Sequence, residues 1–158
     1  MKPTVLLVDD EPNILYAAMR NLHKQPFLML TATDAKSARL ILQTRHVDLV
    51  VTDENMPGQS GTELLMWVME HLPKVVRIVL TGQPSVDVAM RAINEASVFR
   101  FLRKPCRPFD LAMAIREGLE SLDDTPEVGD LQGLGSDGCL PSKVVNANAQ
   151  GTWLRALS

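Results

Sequence analysis

Short apolar runs rich in β-branched residues alternate with stretches of helical periodicity from Thr4 to Leu122. Repetition of strand and helix leaves few foldable arrangements, because right-handed crossovers between parallel strands lay helices on both faces of one sheet. The first run, Thr4 to Val8, stops at Asp9-Asp10-Glu11, and Pro12 suits the first turn of a helix in which Ile14, Leu15, Ala18, Met19 and Leu22 recur. Phe27 to Thr33 reads as a second strand, followed by Asp34 as N-cap of a helix that turns Ala38, Ile41 and Leu42 inward. Val47 to Asp53 is a third strand, continuous enough in its apolar centre, Val50 and Val51, to be buried on both faces. Ser60 and Glu63 then have capping-box spacing for a helix through Leu64, Leu65 and Val68. Val75 to Thr81 is a fourth strand and Gly82-Gln83-Pro84 a turn. The next helix, Val86 to Ala96, has Val86, Ala89, Met90 and Ile93 on its apolar face. Val98 to Leu102 is a fifth strand, and Pro108 opens a last helix with Leu111, Ala112, Ile115, Leu119 and Leu122 on one side.

This pattern predicts one α/β domain over residues 1–123: a doubly wound, flavodoxin-like, five-stranded parallel sheet with helices on both faces. The strand order 2-1-3-4-5 is an expectation from that fold class, which spacing alone does not determine. Ligands of such sheets gather outside the carboxyl ends of the strands, so the residues at those ends carry the functional reading. They are Asp9 and Asp10 on the first strand, Asp53 on the third, Thr81 on the fourth and Lys104 on the fifth.

Three carboxylates at one sheet edge repel one another unless a cation joins them. Oxygen-only ligands suit Mg²⁺, with Mn²⁺ as an admissible substitute, better than zinc. A phosphoryl group arriving on Asp53 would need that metal on one side, an ammonium on another and a hydroxyl on a third; Lys104 and Thr81 are of the right types. Each residue alone has a blander reading, as helix-terminal charge, turn former, solvated lysine or strand threonine. All of those readings must hold together at four strand ends, which is what makes the functional one preferable.

Composition excludes several classes. With 46% apolar and 22% charged residues and a net charge of -3, the chain of 158 residues has the make-up of a globular protein without general affinity for nucleic acid or anionic membrane. No apolar run approaches the roughly 20 residues of a membrane helix, and MKPTVLLVDDE does not read as a signal peptide. Cys106 and Cys139 match no metal or disulfide spacing, so a reducing cytoplasm is expected. Arg100, Arg103, Lys104 and Arg107 form a basic cluster without aromatic interleaving, which predicts a solvated or partner-facing patch and no direct nucleic-acid contact. His23, His46 and His71 are too scattered for chemistry.

Four motifs, VLLVDDEP (Val5 to Pro12), VTDENMPGQSG (Val51 to Gly61), VLTG (Val79 to Gly82) and FRFLRKP (Phe99 to Pro105), give the chain its resemblance to a receiver domain of a two-component response regulator. The resemblance spans roughly residues 4 to 122. It implies phosphotransfer to Asp53 from a sensor histidine kinase or phosphotransfer protein, with Asp9, Asp10 and the main-chain carbonyl of Asn55 as further metal ligands. It also implies a cis bond from Lys104 to Pro105, contact of Lys104 with the phosphoryl group, and a switch pair of Thr81 and Phe101. Asn55 and Gln83 stand where phosphoryl lifetime is tuned. Readout to a downstream protein partner would use the helix from Val86, the strand at Phe101 and the helix from Pro108, and a homodimer is left open. Such a protein catalyses its own phosphorylation and dephosphorylation without being a turnover enzyme.

Cys106 and Arg103 depart from commoner family residues without removing a catalytic group. Rival classes fare worse. An aspartate-nucleophile phosphatase of dehalogenase type wants a second aspartate where Asn55 stands, and a flavodoxin-like electron carrier would need a phosphate-cradling loop where this chain has three acids. The intact acid, threonine and lysine set argues against a phosphorylation-independent interaction module. Beyond Asp124 periodicity is lost and five of the nine glycines appear, which predicts a flexible tail over residues 124–158 without an output domain. A stand-alone receiver and an N-terminal fragment of a longer multidomain regulator are both compatible with that ending.

Overall fold

The structure is a computed structural model, and it describes residues 1–124 apart from Pro84. Ten elements alternate: β1 (Thr4–Val8), α1 (Pro12–Leu22), β2 (Leu28–Ala32), α2 (Ala35–Thr44), β3 (Leu49–Asp53), α3 (Gly61–His71), β4 (Val76–Thr81), α4 (Val86–Ala96), β5 (Arg100–Arg103) and α5 (Pro108–Asp123). The strands form one parallel sheet in the order β2-β1-β3-β4-β5. The expected doubly wound architecture and strand order are therefore both found. The tail expected over residues 124–158 lies, from position 125 on, outside the described residues.

Side chains alternate along each strand, and that alternation divides the core. Val5, Leu7, Leu49, Val51, Ile78 and Leu80 face α1 and α5 through Leu15, Leu22, Leu111 and Ile115. Leu6, Val8, Val50 and Val79 face the other way, against Ala38, Leu42, Leu64, Leu65, Val68 and Ala96. Every residue of β3 is buried, as a central strand covered on both faces requires. The helix starts follow local chemistry. Asp34 accepts from the Ser37 N–H, Ser60 from Glu63 and Ser85 from Val88, while Pro12 and Pro108 open α1 and α5 without a side-chain cap.

Three inward-facing expectations fail. Val86 and Met90 are 77% and 48% exposed, because α4 packs through Ala89, Ala92, Ile93 and Ala96, a stripe of mostly alanines one step further round the helix. Met19 is exposed for the same reason: α1 buries the narrow line Leu15 and Leu22, with Ala18 against the core beside them. The fifth strand pairs over Arg100–Arg103, shifted from Val98 to Leu102, since Ser97 takes a left-handed conformation (φ 47°) after α4 and the ladder with β4 begins at Arg100. Among the described residues, no helix is long and apolar enough to cross a membrane.

Candidate functional site

Parallel strands in register bring their ends to one edge. Asp9 and Asp10 follow the last residue of β1, Asp53 ends β3, Thr81 ends β4, and Lys104 follows the last residue of β5. Main-chain bonds weld this edge together: Glu54 N–H donates to Leu80 O at 2.8 Å, Asp9 N–H to Ala32 O at 3.1 Å and Lys104 N–H to Thr81 O at 2.8 Å. The Lys104–Pro105 peptide bond is cis.

Asp9, Asp10 and Asp53 each offer an oxygen within 4.8 Å of the others. Asp9 and Asp53 are 1% and 5% exposed, and Asp10 is half-buried. Asp53 is thus almost wholly enclosed. Lys104 Nζ donates to Asp9 Oδ2 at 2.8 Å and stands 3.3 Å from Asp53 Oδ1. The second Asp9 oxygen accepts the Glu11 N–H at 2.9 Å, and Asn55 N–H lies 3.4 Å from Asp53 Oδ1.

Burial pushes the Asp53 carboxyl above its ordinary 3.8 against the opposing pull of Lys104, and the charge of Asp9 adds to the rise. For Lys104, burial pulls the ammonium down, but its hydrogen bond to Asp9 and the charges of Asp9 and Asp53 prevail and hold it above 10.5. One ammonium leaves the three acids undercompensated. An oxygen-ligated divalent ion holds its ligands about 3–4 Å apart, so carboxylate oxygens already within 4.8 Å of one another suit such an ion with little movement.

Thr81 is buried, and its Oγ1 accepts the Gln83 N–H at 3.3 Å; the Gln83 side chain is exposed. Phe101 pairs with Val79, two residues before Thr81, so both side chains stand on the α4 side of the sheet. Phe101 is half-buried against that core. Next to Lys104, an apolar groove of about 510 Å³ runs between α1 and α5 along Ile14, Ala18, Leu22, Pro105, Cys106 and Leu111.

The basic cluster lies at the surface and is largely charge-paired. Arg100 pairs with Glu117 and Arg107 with Asp110 (2.8 Å), and Lys104 turns into the acid cluster, so only Arg103 of the four lacks an acidic partner among the described residues. His46 pairs with Asp48 at 2.9 Å and His71 stacks on Trp67, both away from the site.

Two buried polar residues escaped the sequence reading. Glu54 accepts both donors of Thr62, and Arg77 donates to four main-chain carbonyls. An arginine inside the apolar run VVRIVLT and an acid beside Asp53 were the available signals, since neither belongs in a buried stretch without partners.

Comparison with known proteins agrees with this geometry. The family described as Response regulator receiver domain is matched over residues 5–116. The hydrogenase transcriptional regulatory protein HoxA of Cupriavidus necator is 36% identical over 118 residues, covering 75% of this chain and 24% of that protein. The transcriptional regulatory protein GlrR of Escherichia coli is 32% identical, covering 73% and 26%. The chain therefore spans about a quarter of the length of these relatives. Among solved structures, a signal receiver domain of an HD domain-containing protein from Pseudomonas fluorescens Pf-5 superposes with a TM-score of 0.76 at 34% identity, covering 79% of this chain and all of that one. The beryllofluoride-activated NtrC4 receiver domain dimer gives 0.71 at 30% identity, covering 77% and 99%.

Proposed function

Because the chain belongs to the response regulator receiver domain family of two-component systems, we propose that it is a phosphorylation switch whose acceptor is Asp53. An Asp53 carboxylate oxygen attacks the phosphorus of a phosphohistidine on a sensor kinase or phosphotransfer protein. The O–P bond forms, the P–N bond breaks, and the imidazole leaves with a proton from solvent. Asp9, Asp10, Asp53 and the main-chain carbonyl of Asn55 would hold Mg²⁺ or Mn²⁺. Such an ion supplies positive charge to the phosphoryl oxygens.

Lys104 neutralises the acceptor and then the phosphoryl group. The Thr81 hydroxyl exchanges its contact with the Gln83 N–H for a phosphoryl oxygen, and Phe101, on the same sheet face, turns into the space released. Asn55 and Gln83 tune how long the group survives. The chain's chemistry is this self-directed transfer and its reversal, without turnover of an external metabolite.

Output runs through the face of α4, β5 and α5, where Val86, Met90, Phe109 and Met113 are exposed apolar side chains available to a protein partner or a second copy. The groove between α1 and α5, open beside Lys104, suits an approaching phosphodonor. Residues 1–123 are the receiver of a cytoplasmic regulator, and the coverage of about a quarter of its relatives fits a receiver belonging to a longer one.

The observation that carries this reading is the position of Lys104 Nζ between Asp9 and Asp53. Incubation with a small phosphodonor and Mg²⁺, read by intact mass, tests it: one phosphoryl increment on the wild type and none on Asp53→Ala. Equal increments on both proteins overturn it.

A further inference from the structure

We propose that Glu54 is a positioning residue for the phosphoacceptor site, acting by closing the loop of residues 55–60 against Thr62. The inference rests on the reading of Asp53 and Asn55 given above. Glu54 directly follows Asp53, the last residue of β3, and its side chain reaches the start of α3. It is buried, and its Oε2 accepts the Thr62 N–H at 2.8 Å and the Thr62 hydroxyl at 2.5 Å. Its main-chain carbonyl accepts the Gly61 N–H at 3.1 Å. A Cβ on Gly61 would come within 2.2 Å of Asp53 O, so α3 begins against the acceptor's own backbone and only glycine fits there.

These contacts pinch the loop at its base. One side is Asp53-Glu54 and the other Gly61-Thr62, and between them the chain turns through Gly58 at φ 84°. Asn55 is the first residue inside the pinch, with its N–H 3.4 Å from Asp53 Oδ1.

Helix capping alone does not account for Glu54. Ser60 already caps α3 through the Glu63 N–H. What Glu54 adds is a tie between the next unsatisfied helix donor and the strand end, made by an acidic group at the favourable end of the helix dipole. The tie fixes where the Asn55 carbonyl stands relative to the Asp53 carboxylate. Groups that orient metal ligands in this way set affinity without touching the ion, typically by about 10–100-fold.

The test is calorimetric titration of Mg²⁺ alone into the full chain, with a thermal melt of each variant. Wild type binds. Glu54→Ala weakens the Kd about tenfold; Thr62→Val, which removes one of the two bonds, weakens it about fivefold; Thr62→Ser, which restores the hydroxyl, stays within about twofold of wild type. Should Glu54→Ala fail to fold, the contrast between Thr62→Val and Thr62→Ser decides the matter alone. Folded Thr62→Val with the wild-type Kd overturns the role of Glu54 while leaving the Asp53 reading intact. Absence of Mg²⁺ binding by the wild type itself overturns that reading, and the positioning role with it.

Discussion

The Lys104 ammonium and the Asp9 carboxylate, 95 residues apart in sequence, meet at 2.8 Å at the sheet edge, with the oxygen of Asp9 almost wholly buried and the lysine reaching on to Asp53. A strand end supplies each partner, so the pair also records that β1, β3 and β5 are in register. Lys104→Met leaves two buried acids facing one another. The expected result is a loss of about 1–3 kcal/mol of stability in urea titration at neutral pH. The raised pKa of Lys104 means that its contribution is complete below the ordinary 10.5 and disappears as pH climbs through the higher folded value, so wild type and variant converge in strong alkali.

Asp53 is shifted in the same direction, but toward its neutral form. Burial raises its pKa in the folded state, so folding takes up a proton as the pH passes through the interval from 3.8 to the raised value. Stability due to this group is therefore greatest below 3.8 and is lost as pH rises across that interval, leaving a constant penalty at neutral pH. In the absence of divalent ions, Asp53→Asn is expected to melt a few degrees above wild type at pH 7, about 3–6 °C for each kcal/mol relieved. The difference shrinks in acid. A lower melting temperature for Asp53→Asn at pH 7 contradicts the assignment.

Divalent metal is expected to reverse that ranking. Mg²⁺ that binds only the folded chain stabilises it by about 2.7 kcal/mol at a concentration a hundredfold above Kd. Wild type should gain that amount in a thermal melt, while Asp53→Asn and Asp10→Asn gain little. An equal gain in all three means that the acid cluster is not where the ion acts.

Arg77 is a structural counterpart to the site. Its guanidinium donates to Ala96 O at 2.8 Å, Val75 O at 2.6 Å, Pro73 O at 3.1 Å and Ser97 O at 3.3 Å, tying the C-terminal end of α4 to the start of β4. Burial lowers its pKa, yet the carbonyls accept from four of the five N–H groups of the fork. Arg77→Met should cost about 3 kcal/mol in denaturant unfolding by leaving those carbonyls unsatisfied. Arg77→Lys should recover only part, since a point charge cannot span the set.

Much of this molecule is legible in the order of its residues. The continuous burial of β1, β3 and β4 and the acids, hydroxyl and amine at the strand ends announce both a parallel sheet and a site at one edge of it. Faces of helices are harder. Val86 and Met90 look like core until the alanines beside them prove to be the packing stripe, because small residues carry little hydrophobic signal yet let helix and sheet approach closely. Side chains that act through main-chain groups leave no motif, which is why the Glu54–Thr62 tie and the Arg77 fork emerge only in three dimensions. The charge pairing of Arg100 and Arg107 is hidden for a related reason: their acidic partners, Glu117 and Asp110, come from α5.

Borohydride reduction of the phosphorylated chain puts the acceptor assignment to its most direct test, since it converts an aspartyl phosphate to homoserine, which peptide sequencing by mass spectrometry then locates. The expected product is homoserine at position 53 alone, formed only when Mg²⁺ accompanies the phosphodonor. Homoserine at position 9 or 10, or none anywhere after an observed phosphoryl mass increment, would contradict a phosphoacceptor at the end of the third strand.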